Sequence, residues 1–283
     1  MANSSIRDFT KYNRVSGATG AGPFLVDYVV IGGGGGGGGV LGGGGGAGGY
    51  LSGSAYSLPA GKHPLAVGAG APGSSTNPKS MASPSRFGPF YAIGGGTGGT
   101  SNDAPGAMGG SGAGTSYNFT ISAYLNIGID SQGNSGGLGR GNTSPFGGGG
   151  GGGAGAAGGN AAGNAGGNGG NGLASSITGS AVTRAGGGGA GVRGGTAGTG
   201  GTGGGGAGAP SGTATSGTAN TGSGGGGSDG TAGAGGSGVV IFALSTYATA
   251  TFSAGVTQTS TFVGVNRVFT VTEAGPTDTV TIG

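Results

Sequence analysis

The chain has 283 residues, of which 88 are glycine, about fourfold the average usage. Only 6% of residues are charged and 6% aromatic, Cys and Trp are absent, a single His is present, and the formal net charge is +3. These figures exclude a disulfide framework and a thiolate or multi-His metal centre. They also exclude collagen, which needs strict Gly-X-Y and far more than 11 prolines, and a multi-cation surface for nucleic acid.

Residues 1–23 carry Arg7, Asp8, Lys11 and Arg14 beside Phe9 and Tyr12, and read as an attachment arm with Arg7, Phe9, Tyr12 and Arg14 as its docking candidates. No apolar stretch follows a basic one, so no secretory signal is expected. Next comes Phe24-Leu-Val-Asp-Tyr-Val-Val-Ile31, a strand-length run of apolar and β-branched residues that ends in glycine. From Tyr28 to Ala60 nothing is charged, but glycine resists helix formation and adds little apolar surface, so no membrane insertion is expected. Val29-Val-Ile-Gly-Gly-Gly34 mimics a dinucleotide fingerprint, yet glycine stands where the helix should begin and no acidic residue occurs between Asp27 and Asp103. No cofactor is expected. His63 has no second ligand nearby and reads as a turn residue.

Short strand-like pieces then run into glycine at Tyr91-Ala-Ile-Gly94 and Ala181-Val-Thr-Arg-Ala-Gly186. A mixed insert at 97–146 holds Tyr117-Asn-Phe-Thr-Ile-Ser-Ala-Tyr-Leu125, the internal stretch richest in large side chains. Phe87, Phe90, Tyr91, Tyr117, Phe119, Tyr124 and Phe146 lie at or near the boundaries of glycine runs. Exposed aromatics on loops held by a rigid scaffold suit a binding face; buried, the same rings would form a small core, the role Phe119 and Ile121 suit best by their alternation. Tyr117, Phe119, Tyr124, Arg140 and Phe146 are the receptor-binding candidates.

Nearly half of residues 147–238 are glycine, and Leu173, Ile177, Val182 and Val192 are the only large aliphatics there. No ordinary core forms from four such side chains, while each glycine costs roughly 0.5–1 kcal/mol more backbone entropy than alanine. The segment is therefore either disordered or packed through its backbone. An extended helix with three residues per turn points all its amides outward, and such helices can bond side by side where glycine removes the obstruction. Gly163, Gly166, Gly169 and Gly172 recur at that period, and scarce Lys and Glu argue against disorder. The lone Arg193-Gly-Gly is too sparse for an RNA-binding element.

Gly238-Val-Val-Ile-Phe-Ala-Leu244 mirrors the first strand, so the two are expected to bracket one glycine-rich domain over 24–244 and to lie close together. Beyond residue 245, Thr249–Ser253, Val256–Val263, Arg267–Glu273 and Thr279–Ile282 alternate, with turns near Gly255, Gly264 and Gly275. They predict a small C-terminal antiparallel β unit at 245–283. The expected fold is thus irregular to all-β, a bundle of three-residue-period helices bracketed by short strands.

With the Val-Val-Ile-Gly-Gly-Gly opening, Ala47-Gly-Gly-Tyr50, Leu65-Ala-Val-Gly-Ala-Gly70, Ala185-Gly-Gly-Gly-Gly189 and Gly235-Gly-Ser-Gly-Val-Val-Ile241, the chain resembles the glycine-rich domains of tailed-bacteriophage tail fibres and fibre-tip adhesins. It is similar, more distantly, to the glycine-rich extracellular region of the anaplastic lymphoma kinase receptor. The resemblance covers roughly residues 24–244 and implies polyglycine-II helices. It further implies loops that contact a host surface glycan or outer-membrane protein, here those around 97–146 and 71–90. Residues 1–23 would dock on other tail or baseplate proteins, in a virion and without enzymatic activity, and a homotrimer is the favoured assembly. A purely structural virion role and an ice-binding polyglycine-II protein are the alternatives; a disordered RNA-binding or cell-wall protein is a weaker one.

Overall fold

The computed structural model describes residues 22–75, 81–100, 105–118, 126–141 and 144–283. These contain fourteen strands and no helix. They are β1 (Phe24–Ile31), β2 (Tyr50–Leu58), β3 (Gly61–Ala66), β4 (Ser85–Phe87), β5 (Phe90–Ala92), β6 (Phe146–Gly147) and β7 (Leu173–Ser175), followed by β8 (Val182–Arg184), β9 (Val192–Arg193), β10 (Val239–Ser245), β11 (Ala250–Phe252), β12 (Thr257–Val263), β13 (Asn266–Glu273) and β14 (Thr279–Ile282).

The two bracketing strands pair directly. β1 and β10 run antiparallel with Ile31 opposite Val239 and Asp27 opposite Ala243, at the centre of a five-stranded sheet ordered β12-β13-β10-β1-β2. A second sheet, β11-β14-β3-β4-β5, covers one face of the first. Val26, Val30, Val240, Leu244 and Val271 meet Leu65, Val280 and Ile282 there. Phe242 stacks on Phe87 at 4.6 Å and on Phe269 at 5.1 Å between ring centroids. The opposite face of the first sheet is also buried: Val29, Ile31, Val239, Ile241 and Val268 pack on Ala47, Tyr50 and Ala185, with Ala154 and Ile177 alongside. Burial on both faces explains why β1 and β10 are apolar without alternation.

The C-terminal strands are antiparallel, as expected, but they do not form a unit of their own. β13 pairs with β10, and β14 pairs with β3, so the last strands complete two sheets begun elsewhere in the chain. The cause is that both faces of β13 carry apolar residues: Phe269 and Val271 enter one core and Val268 the other, which a free-standing hairpin could not bury.

Gly32–Gly39 continues straight from β1 and bonds in a different way. The amides of Gly32, Gly35 and Gly38 donate to the carbonyls of Gly49, Gly46 and Gly43, at 3.0, 2.9 and 2.9 Å, and those of Gly34 and Gly37 donate to Gly236 and Gly233. In return, the carbonyls of Gly33 and Gly36 accept from Gly95 and Gly98, those of Gly34 and Gly37 from Ala71 and Ser74, and those of Gly35 and Gly38 from Gly225 and Ser228. Each partner recurs every third residue, whereas a β-ladder alternates every second. The run is therefore wrapped by segments 43–49, 71–74, 95–98, 225–228 and 233–236. The same period joins Gly166, Gly169 and Gly172 to Thr196, Thr199 and Thr202, and Gly167 and Gly170 to Gly148 and Gly151. Residues 147–238 are packed through their backbone, and glycine is required for it: a methyl on Gly34, Gly37 or Gly169 would overlap the carbonyl of Ser223, Gly226 or Gly187 respectively.

Candidate recognition surface

Because Gly32 leaves β1 and Gly39 ends the run, the hydrogen-bond register sorts the connecting loops by height. The end remote from the sheets is marked by Val40 and Leu41, a turn with φ of 55° and 60°. Ser74, whose carbonyl accepts from Gly39, and Ser228, whose amide donates to Gly38, lie at the same level. Gly191 donates to Gly42, Gly148 donates to Gly191, and the Tyr117 amide donates to Leu41 at 3.3 Å. The loops following residues 74, 99, 117, 191 and 228, and the one preceding 148, thus leave the lattice at one end. Of the expected loops around 71–90 and 97–146, only the parts near residues 74, 99, 117 and 146 reach this end: Ser85–Phe87 and Phe90–Ala92 are strands of the sandwich, and Gln132, whose carbonyl accepts from the Tyr50 amide, lies at the sheet end.

Tyr117 and Phe146 meet here edge to face, with centroids 5.2 Å apart. Phe146 lies opposite Arg193 across the β6–β9 pair. Arg193 grips Asp229 bidentately, Nε to Oδ2 at 2.7 Å and Nη2 to Oδ1 at 2.6 Å, and its side chain is 57% exposed against 12% for Asp229. Hydrogen bonding to Asp229, then the Asp229 charge and more weakly the Tyr117 phenol, hold the guanidinium above its ordinary pKa, so it remains cationic. Val40, 40% exposed, adds an apolar tip. The arrangement offers aromatic edges beside a fixed cation, which suits recognition of a polar surface group.

Arg140 is half-buried. Its amide donates to the Gly147 carbonyl at 3.0 Å, and its Nη1 finds no acceptor among the described residues. Phe119 and Tyr124, with the arm candidates Arg7, Phe9, Tyr12 and Arg14, lie outside the described residues. The other boundary aromatics divide: Phe87 is fully buried in the sandwich, Phe90 stacks on Tyr28 at 3.6 Å, and Tyr91 is exposed. Sequence reasoning weighed Arg193 only as an RNA-binding element and missed its pairing with Asp229, although Arg184, Arg193 and Asp229 are the only charges in residues 147–238, and opposite charges isolated in a neutral stretch are a pairing signal.

The chain matches the model of a glycine-rich domain over residues 15–245. It belongs to that glycine-rich domain family. No curated protein and no solved structure matches it. The matched span contains the whole lattice and both bracketing strands, β1 and β10, while β11 to β14 lie beyond it. At the junction of sandwich and lattice a shallow groove of mixed polarity is lined by Asp27, Tyr28, Val29, Ser52, Ser175 and Ile177. Asp27 there is already engaged by the Ala55 amide at 2.8 Å. Among the described residues, no group of three or more His, Cys, Asp or Glu could hold a metal ion.

Proposed function

We propose that the chain is a non-enzymatic bacteriophage virion protein, a tail fibre or baseplate-attached adhesin, made in the host cytoplasm and carried on the tail. Its glycine segments are polyglycine-II helices, and the loops at the far end of the lattice recognise a host surface glycan or outer-membrane protein. The observation that carries this reading is the two-ended layout. The described chain enters at Gly22 beside the sheets, where residues 1–23 would dock on other tail or baseplate proteins. The Tyr117, Phe146 and Arg193 surface sits at the other end. Eight residues of β1 and the eight of Gly32–Gly39 span roughly 50 Å at about 3.3 and 3.1 Å per residue, enough to separate attachment from recognition. The three-residue bonding period supports the polyglycine-II reading, because that helix makes no internal hydrogen bonds and presents its amides in three directions.

The test titrates fluorescently labelled full chain onto a panel of bacterial strains, then repeats the binding strain with Tyr117→Ala combined with Phe146→Ala, and separately with Arg193→Ser. Binding weakened by about tenfold or more, the loss of one or two hot-spot contacts, is the expected result. Undiminished binding refutes the assigned surface. No binding to any strain, with particle adsorption unchanged when the chain is removed, leaves a purely structural virion role.

A further inference from the structure

The outer edge of β12 is open: no described strand pairs with it on the side away from β13, and Thr259–Phe262 are exposed. Sheet edges are ordinarily shielded by charge, proline or a bulge. β12 has neither charge nor proline, and its register shift falls at Thr257/Gln258, which leaves Gln258–Val263 regular. The opposite edge, β2, is shielded. It faces the irregularity at Val26/Tyr28, carries Ala55 at a φ of 52°, and gives the Ala55 amide to Asp27.

The β12–β13 hairpin turns on Gly264-Val265, with Gly264 at a φ of 60°, and in such two-residue turns the flanking pair, here Val263 and Asn266, exchanges hydrogen bonds. Alternation along an antiparallel ladder then turns Thr261 and Thr259 inward and leaves the N–H and C=O groups of Phe262, Ser260 and Gln258 facing outward. The side chains of these three share the face of Arg267 and Phe269. Arg267 donates to Ser260 Oγ at 2.9 and 3.1 Å and lies 5.0 Å from the Phe269 ring and 6.0 Å from the Phe262 ring. The second sheet ends at β11, whose Phe252 meets Phe269, so β12 overhangs it. Phe262 is 69% exposed on what would be the core face, and Gln258 Oε1 has no hydrogen-bond partner among the described residues. Val265 and Tyr247, 80% and 88% exposed, adjoin it through the Thr246 amide on the Val265 carbonyl.

We infer that this edge is a self-association surface, where β12 of a second copy of the chain pairs antiparallel with the first about a two-fold axis through Ser260. The inference goes beyond the reading above, and it sets a two-fold contact where the resemblance implies a homotrimer. The outward groups are symmetric about Ser260, so this axis sets Gln258 of each copy opposite Phe262 of the other and satisfies all three. The strand itself is uncharged, and the nearest cation, Arg267, is held on its own Ser260 Oγ. Each Phe262 covers the overhang of its mate, and a two-fold contact closes on itself instead of propagating.

The chain contains no Cys, so a single introduced thiol reports the contact. Residues facing each other across an antiparallel pair have Cα atoms about 4.5–5.5 Å apart, within disulfide range. In the full chain, Ser260→Cys is expected to cross-link under mild oxidation about tenfold faster than Thr251→Cys on exposed β11, as an enforced proximity requires. Sedimentation is expected to give a dimer for the wild type and a dimer weakened by about tenfold or more for Phe262→Lys, which sets a charge on the edge. A wild-type monomer, a trimer, or equal cross-linking rates overturns the proposal. The Tyr117 and Phe146 variants leave these readouts unchanged, so failure here is separate from failure of the recognition surface.

Discussion

Glycine to alanine is normally mildly stabilising where the backbone allows it, by about 0.4–1 kcal/mol through the unfolded state; in the lattice the sign reverses. Gly34→Ala drives a methyl into the Ser223 carbonyl. The segments must separate, which weakens the bonds Gly34 makes, N–H to Gly236 at 2.8 Å and C=O from Ala71 at 2.9 Å. Two hydrogen bonds at about 0.5–1.5 kcal/mol each and an overpacking cost of about 1–3 kcal/mol together predict a loss of about 2–6 kcal/mol. Urea unfolding followed by circular dichroism is expected to place the midpoint about 1–2 M lower for this size of loss. Gly22→Ala, where the added carbon meets nothing within 4 Å, is the matched control and shifts little. Equal midpoints for the two variants would refute close backbone packing as the source of order.

Three further outcomes are expected. Phe242→Ala empties the stack between Phe87 and Phe269 and lowers stability by about 3–5 kcal/mol in the same urea assay. The Asp278 carboxyl is held below its ordinary value of 3.8 by the Ser253 hydroxyl first and the Gly275 amide second. A depressed folded-state pKa contributes stability above the unfolded value and loses it as pH falls through the folded one, so Asp278→Asn flattens the decline of the urea midpoint below about pH 4; an unchanged acid limb counts against the assigned bonds. In hydrogen exchange, the buried amides of Gly35 and Gly225, bonded at 2.9 Å, exchange only by large-scale unfolding, whereas the exposed amide of Gly163 exchanges fast. Uniform fast exchange across residues 147–238 contradicts the lattice.

The parts of this fold that were readable in advance are those written in local spacing. Residues 24–31 and 238–244 announce strands by their composition, and the glycines at 166, 169 and 172 sit at the three-residue period that the bonds to Thr196, Thr199 and Thr202 use. What could not be read is which segment neighbours which. A run of eight glycines carries no side chain to select a partner, so nothing in Gly32–Gly39 distinguishes 43–49 from 225–228 as its neighbour. The destination of β14 was hidden for a related reason, since its pairing with β3 spans more than 200 positions and leaves no local mark; β13 carries a mark only in the apolar residues on both of its faces. At the proposed recognition surface Tyr117 and Phe146 are legible as aromatics at glycine boundaries, while Arg193 reads only as too sparse for RNA binding, because a single Arg is weak evidence without its Asp.

The three-residue bonding period also sorts mutations by length. One residue gained or lost within Gly32–Gly39 turns everything beyond it by a third of a revolution, so each following amide faces the wrong neighbour; gaining or losing three restores direction and changes only height. The loops beyond Gly39, Ser74 and Ser228 are under no such arithmetic, because their ends are already fixed by the lattice and added length costs only slowly growing closure entropy. Insertions and deletions in relatives of this chain should therefore fall in multiples of three inside the glycine runs and in any number at the far end. A scaffold of this kind lets its exposed face change in size and shape while its frame holds still.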